Sequence, residues 1–211
     1  SEYALGLSQV GCRVKPYYLT PDRDFALDSR FPDYLTEILP EAVFLCNPNN
    51  PTGMLIHPAV LKDILDVCRE NRIRLFVDEC FLDLSDNGQS MKGYLAEYPN
   101  LFILKAFTKS YGMAGIRLGY CLCSDRELLK AMSRTVQPWN VSSLAQAAGL
   151  AALDEGDFLA KTKALIQTER PWLKEKLEAF GFRVFPSQVN YLLFQGPQTL
   201  HRDLKARGIA I

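Results

Sequence analysis

Four side chains at the ends of apolar runs in this 211-residue chain have chemistry to offer. Lys109, in Thr108-Lys109-Ser110, is an amine that adds to a carbonyl once it is partly desolvated. Arg117, eight residues on in Gly115-Ile-Arg-Leu-Gly119, carries the forked guanidinium that matches a phosphate. Asp78 closes the run Ile73–Val77, where a carboxylate can keep a ring nitrogen protonated. Asn50 lies in Asn47-Pro-Asn-Asn-Pro-Thr-Gly53, an amide held between two prolines. Each has an ordinary reading by itself: a solvated loop lysine, the partner of a buried carboxylate, a strand-end cap, a turn. Glu79 keeps such a reading, as a structural or supporting carboxylate. Together, and in this order, the four meet the needs of pyridoxal phosphate: a lysine for the Schiff base, an aspartate for the pyridine nitrogen, an asparagine for the ring hydroxyl and an arginine for the phosphate.

These residues must be positioned by alternating strands and helices. Residues 42–46 are an apolar run that stops at Asn47-Pro48. His57 to Asn71 has apolar residues at helical spacing, among them Leu61, Ile64, Leu65 and Cys68. Further runs are Ile73–Val77, Leu101–Leu104 and Ile116–Cys123, the last placing Arg117 inside an apolar strand, where its charge needs a fixed anion. Near-continuous apolar strands separated by helices predict a mostly parallel sheet with helices on both faces, with ligands gathered at the strand ends. Beyond it, Ser142–Leu153 and Asp157–Phe180 read as helices, with Pro171 as a kink or break and Gly181 as the stop. Phe182–Phe185 and Tyr191–Phe194 read as short strands, Thr199–Arg207 as a short helix and Ile209–Ile211 as a strand beginning.

Composition excludes several classes. The 24 basic and 24 acidic residues cancel, which removes the electrostatic argument for nucleic acid or a membrane surface. No apolar stretch reaches spanning length, and the N-terminus has no signal-peptide pattern. The six cysteines lack Cys-x-x-Cys spacing and read as small buried residues of a reducing, cytoplasmic compartment. His57 and His201 stand alone, which argues against a zinc site and against a histidine-centred triad.

At Ala106-Phe-Thr-Lys109-Ser-Tyr-Gly-Met-Ala-Gly-Ile-Arg117-Leu-Gly119, with Asn50 and Asp78 upstream, the chain resembles the class I/II, fold-type I pyridoxal-phosphate aminotransferases and their decarboxylase relatives. The resemblance implies that Lys109 is the Schiff-base lysine. It assigns Asn50, Asp78, Phe81, Thr108 and Arg117 to the cofactor. Residues 1–165 become the cofactor-binding large domain without its N-terminal part, and 166–211 the beginning of a small C-terminal domain. Two subgroups fit: decarboxylases of threonine phosphate in cobalamin synthesis, and aminotransferases of histidinol phosphate. Phe81, where the aminotransferases usually place a tyrosine, together with Gln137-Pro-Trp-Asn-Val141 and Asn190-Tyr-Leu-Leu193, favours the decarboxylases. The substrate is then a phosphorylated amino acid or amine, and the parent enzyme a homodimer with shared sites.

Two departures bear on activity. Ala106 replaces a Ser/Thr that commonly bonds the cofactor phosphate. The chain also looks like a central fragment: the upstream phosphate loop, the aromatic that stacks on the cofactor ring, the cross-dimer tyrosine and a downstream carboxylate-binding arginine are expected outside it. A catalytically inert chain is therefore a third reading.

Overall fold

The computed structural model describes residues 2–210. The order begins α1 (Glu2–Gln9), α2 (Arg30–Ile38), β1 (Ala42–Cys46), α3 (Pro58–Glu70), β2 (Arg74–Asp78), β3 (Leu101–Ala106), α4 (Phe107–Ser110) and β4 (Gly119–Leu122). It continues with α5 (Arg126–Ser133), α6 (Ser143–Asp154), α7 (Phe158–Ala179), β5 (Arg183–Val184), β6 (Phe194–Gln195) and α8 (Leu200–Lys205). The main sheet has the order β1-β2-β3-β4, and β5 and β6 form a second, two-stranded sheet. β1, β2 and β3 are parallel, whereas β4 runs antiparallel to β3. The architecture is the mixed α/β one that the alternating runs predict.

Side-chain alternation divides the strands between two faces. Val43, Leu45, Leu75, Val77, Leu101 and Ile103 point to one side, where they meet Leu61, Ile64, Leu65 and Cys68 of α3 and Phe31 and Leu35 of α2 in a single core. α3 begins where His57 Nδ1 accepts from the Ala59 amide, so this histidine caps a helix. The opposite face carries a ladder set by the register Phe44–Phe76–Phe102. Its rings stack with centroids 4.5 Å apart at both steps. Tyr3 of α1 extends the stack, 5.6 Å from Phe44.

Several boundaries differ from the sequence reading. β4 covers only Gly119–Leu122 of the run 116–123, because Ala114–Ile116 forms a 3₁₀ turn and Arg117 adopts the left-handed conformation, φ 59°. Pro171 does not end α7, which continues past it to Ala179. It removes one amide donor, while Arg170, next to it, pairs with Asp86 and donates to the Val189 carbonyl at 3.1 Å. The second short strand is shifted: residues 191–193 are irregular and β6 begins at Phe194. Ile209 and Ala210 have no regular structure, and Ile211 lies outside the described residues. The cysteines are free thiols, but only Cys68 is fully buried, and Cys12 is exposed. Burial pushes the Cys68 thiol up to about 12.

Two local contacts hold the region beneath the strand ends. Lys105, with its side chain 10% exposed, lies 2.7 Å from Asp83 and 3.9 Å from the buried Glu79. Glu79 also accepts the Met91 amide at 2.8 Å, and burial raises its pKa against the pull of Lys105. Glu79 is thus a structural carboxylate, as the sequence reading has it. Gly53 has φ +74°, and a Cβ there would lie 2.1 Å from Ser187 Oγ. No side chain fits, and the Gly53 carbonyl receives the Gln188 amide at 3.0 Å. The turn of residues 47–53 is thereby clamped to a segment far along the chain.

Two substitutions test these contacts by denaturant unfolding. Lys105→Met, which strands Glu79 in the interior, is expected to lower stability by about 3 kcal/mol. Gly53→Ala is expected to lose about 2 kcal/mol through backbone strain and the collision with Ser187.

Candidate active site

The parallel register aligns the carboxyl ends of β1, β2 and β3 at one edge. Cys46 lies beside Asp78, and Asp78 beside Leu104. The Asn47 amide bonds the Asp78 carbonyl and the Glu79 amide bonds the Leu104 carbonyl, each at 2.9 Å. Every segment leaving those ends then borders one cleft of about 1560 Å³. Asn50, Asp78, Phe81, Thr108, Lys109 and Arg117 all line it, although they span 67 positions of sequence (117 minus 50).

The three asparagines of the first segment divide the labour. Asn47 is buried, and its Oδ1 accepts the Ile56 amide at 2.8 Å. Asn49 donates from Nδ2 to Thr52 Oγ1 at 2.9 Å. Both are committed to the turn, in which the Asn47–Pro48 and Asn50–Pro51 bonds are cis. Asn50 is exposed on the cleft, and its side-chain amide has no protein partner among the described residues.

Asp78 is held from two directions. The Cys80 amide donates to Oδ1 at 2.9 Å, and the Tyr3 hydroxyl donates to Oδ2. Burial, then the adjacent Asp78, raises the Tyr3 pKa well above the usual phenol range. Burial likewise raises the Cys46 and Cys80 thiols, so these groups meet the cleft as neutral donors.

Lys109 lies in α4, which starts directly from β3 after the extended Ala106. The helix is fixed by the Phe107 amide on the Leu118 carbonyl at 3.1 Å and by buried Ser110, whose Oγ donates to Asp83 at 3.3 Å. The Lys109 side chain is exposed to the cleft rather than desolvated as the sequence reading required, because a four-residue helix at the rim cannot enclose it. Its Nζ stands 5.3 Å from the Phe81 ring centroid. Phe81 meets Tyr191 edge-on at 5.0 Å, and the Tyr191 hydroxyl donates to the Asn49 carbonyl at 3.1 Å.

Arg117 is corrected in setting. It does not lie in an apolar strand; it is an exposed residue at the cleft rim whose Nη1 donates to the Ala114 carbonyl at 3.2 Å. The left-handed backbone at this position carries the side chain out of the strand direction before β4 begins. Its other guanidinium donors are free for a ligand anion among the described residues. Thr108 is half-buried and also lines the cleft.

Tyr3 is the site residue that sequence reasoning missed. It is 75 positions from Asp78 and looks like any residue of an amphipathic helix. The one available signal was an aromatic in register with a strand ladder, and that pairing exists only after folding.

Residues 1–210 match the family described as aminotransferase class I and II. The chain is 33% identical over 203 residues to threonine-phosphate decarboxylase of Salmonella typhimurium, covering 92% of this chain and 54% of that enzyme. It is 30% identical over 211 residues to histidinol-phosphate aminotransferase of Thermoanaerobacter pseudethanolicus, covering 99% of this chain and 58% of that one. Histidinol-phosphate aminotransferase of Clostridium acetobutylicum superposes with a TM-score of 0.91 at 28% identity, over 100% of this chain and 64% of that chain. The chain thus spans about half the length of the relatives it matches. By its sequence over residues 1–210 and its fold, it belongs to the class I and II aminotransferases, a pyridoxal-phosphate-dependent family.

Proposed function

We propose that this chain binds pyridoxal phosphate and that the protein acts on a phosphorylated amino acid, releasing carbon dioxide from threonine phosphate to give aminopropanol phosphate for cobalamin synthesis. The observation that carries the cofactor reading is the convergence of Asn50, Asp78, Lys109 and Arg117 on one cleft. The donor set fits the group: a carboxylate for the ring nitrogen, an uncommitted amide for the ring oxygen, a guanidinium and a hydroxyl for the phosphate. When bound, pyridoxal phosphate supplies an electron-accepting ring joined to a carbon that condenses with amines.

The chain's own residues divide the remaining work. Lys109 Nζ would be the amine that holds the cofactor and, when free, would move a proton at the substrate carbon. Asp78 keeps a positive charge on the facing nitrogen. Arg117 and Thr108 anchor the phosphate end, with one donor fewer because position 106 is alanine. Phe81 offers the cleft an apolar face where a tyrosine would offer a hydroxyl, and this supports decarboxylation over amino transfer. Amino transfer from histidinol phosphate is the second reading, supported by the aminotransferase relative aligned across 99% of the chain. Which bond breaks would depend on how the site orients the substrate's carboxylate and hydrogen. We further propose a join between 1–165 and 166–211 within α7, and a cytoplasmic homodimer for the complete protein.

Borohydride reduction of the chain mixed with pyridoxal phosphate, followed by peptide mass mapping, is expected to label Lys109 alone, and Lys109→Ala is expected to abolish the label. Scattered or absent labelling would show an inert chain. In the complete protein, carbon dioxide release from threonine phosphate is expected. Amino transfer from histidinol phosphate to 2-oxoglutarate without that release overturns the decarboxylase reading.

A further inference from the structure

We propose that Tyr3 is a positioning residue of the site, fixing the Asp78 carboxylate through its hydroxyl so that Asp78 faces the ring nitrogen of the cofactor. The inference rests on the cofactor reading above and extends it to a residue that the sequence reading did not assign.

The argument starts from the sheet. Phe44, Phe76 and Phe102 occupy one register row, and Cys46, Asp78 and Leu104 the row two residues further along the same face. The Tyr3 ring stacks on Phe44 at an interplanar angle of 26°, so the aromatic row sets the plane and height of the phenol. Its hydroxyl then projects over the next row, where it donates to Asp78 Oδ2. The Cys80 amide already donates to Oδ1. Two donors on different oxygens fix both the rotation and the direction of a carboxylate that a single bond leaves free to swivel. The remaining lone pairs are left for a ligand in the cleft that both residues line.

The surroundings allow this role. Apart from Asp78, the ionisable groups felt by the phenol are Cys46 and Cys80, both held neutral by burial. Tyr191, which also feels Asp78, is raised by burial and bonds the Asn49 carbonyl instead. The Cys80 thiol also bonds the Asp78 side chain, and Tyr3 is the hydroxyl donor that Asp78 has among the described residues. A purely structural tyrosine would need the ring stack alone; the hydroxyl bond is what the positioning role adds.

A double-mutant cycle on the 211-residue chain separates these roles. Tyr3→Phe keeps the stack and removes the hydroxyl, and Asp78→Asn removes the charge it orients. The readouts are the dissociation constant for pyridoxal phosphate by fluorescence, borohydride labelling of Lys109, and the thermal midpoint without cofactor. Tyr3→Phe is expected to weaken affinity about ten-fold with an unchanged thermal midpoint. In the Asp78→Asn background it is expected to change affinity little, because the two act as one unit. Unchanged affinity in Tyr3→Phe, with Lys109 still labelled in the unaltered chain, overturns the inference and leaves the cofactor reading standing. Additive losses in the double variant overturn it too. Failure of the unaltered chain to take cofactor on Lys109 overturns both.

Discussion

The register of the three parallel strands is the constraint on which the rest depends. Because Cys46, Asp78 and Leu104 stand side by side, the chain leaves all three strands at one level, and each exit enters the same cleft. A slip of one residue would turn Asp78 to the face packed against α3, and would bury a charge where Val77 now sits. The cost of that exchange is what keeps the site in register. The core residues Leu75, Val77, Leu101 and Ile103 therefore act on the chemistry without touching it: they decide which face each neighbour occupies.

Above that register, the site is a set of short exits, each stiffened by its own device. The first is a turn in which Asn47 and Asn49 bond inward and Gly53 accepts the close approach of Ser187. The second is the acidic step after β2, where Glu79 bonds downward to Met91 and Lys105 while Asp78 faces the cleft. The third is the single helical turn of α4, held through Ser110 to Asp83. Lys105 touches both the second and the third through Glu79 and Asp83, so one ammonium group couples the segment bearing Asp78 to the one bearing Lys109. The Lys105–Glu79 pair is largely desolvated, which makes it costly to break and well suited to holding relative position.

What was legible in the sequence follows from this geometry. The convergence of Asn50, Asp78 and Lys109 on one cleft could be read because each sits within a few residues of the apolar run that positions it, and strand ends in parallel sheets collect ligands. Arg117 was legible as a residue but not in its setting. The run 116–123 looks continuous, yet the backbone turns left-handed at 117, and nothing in apolar periodicity reports that. Tyr3 and Ser187 were not legible as site elements. Their contacts, with Asp78 and with the Gly53 turn, join segments 75 and 134 positions apart. The irregular 191–193 has the same origin: Tyr191 looks like strand, but its hydroxyl bond to Asn49 and its edge contact with Phe81 draw it toward the cleft.

Phe81 shows how one substitution changes what surrounds it. A tyrosine here would direct a hydroxyl into the cleft; phenylalanine instead presents its ring near Lys109 Nζ and its edge to Tyr191. The nearby phenol of Tyr191 is turned to a backbone carbonyl. Two phenols near the cleft are thus directed to the protein, Tyr3 to Asp78 and Tyr191 to Asn49, while the amide of Asn50 stays unpartnered among the described residues. A site with that balance depends on Asn50 for the polarity of one side and on Asp78 for the charge of the other. The surrounding structure fixes the Asp78 carboxylate, through the Tyr3 hydroxyl and the Cys80 amide, and leaves the Asn50 amide open on the cleft.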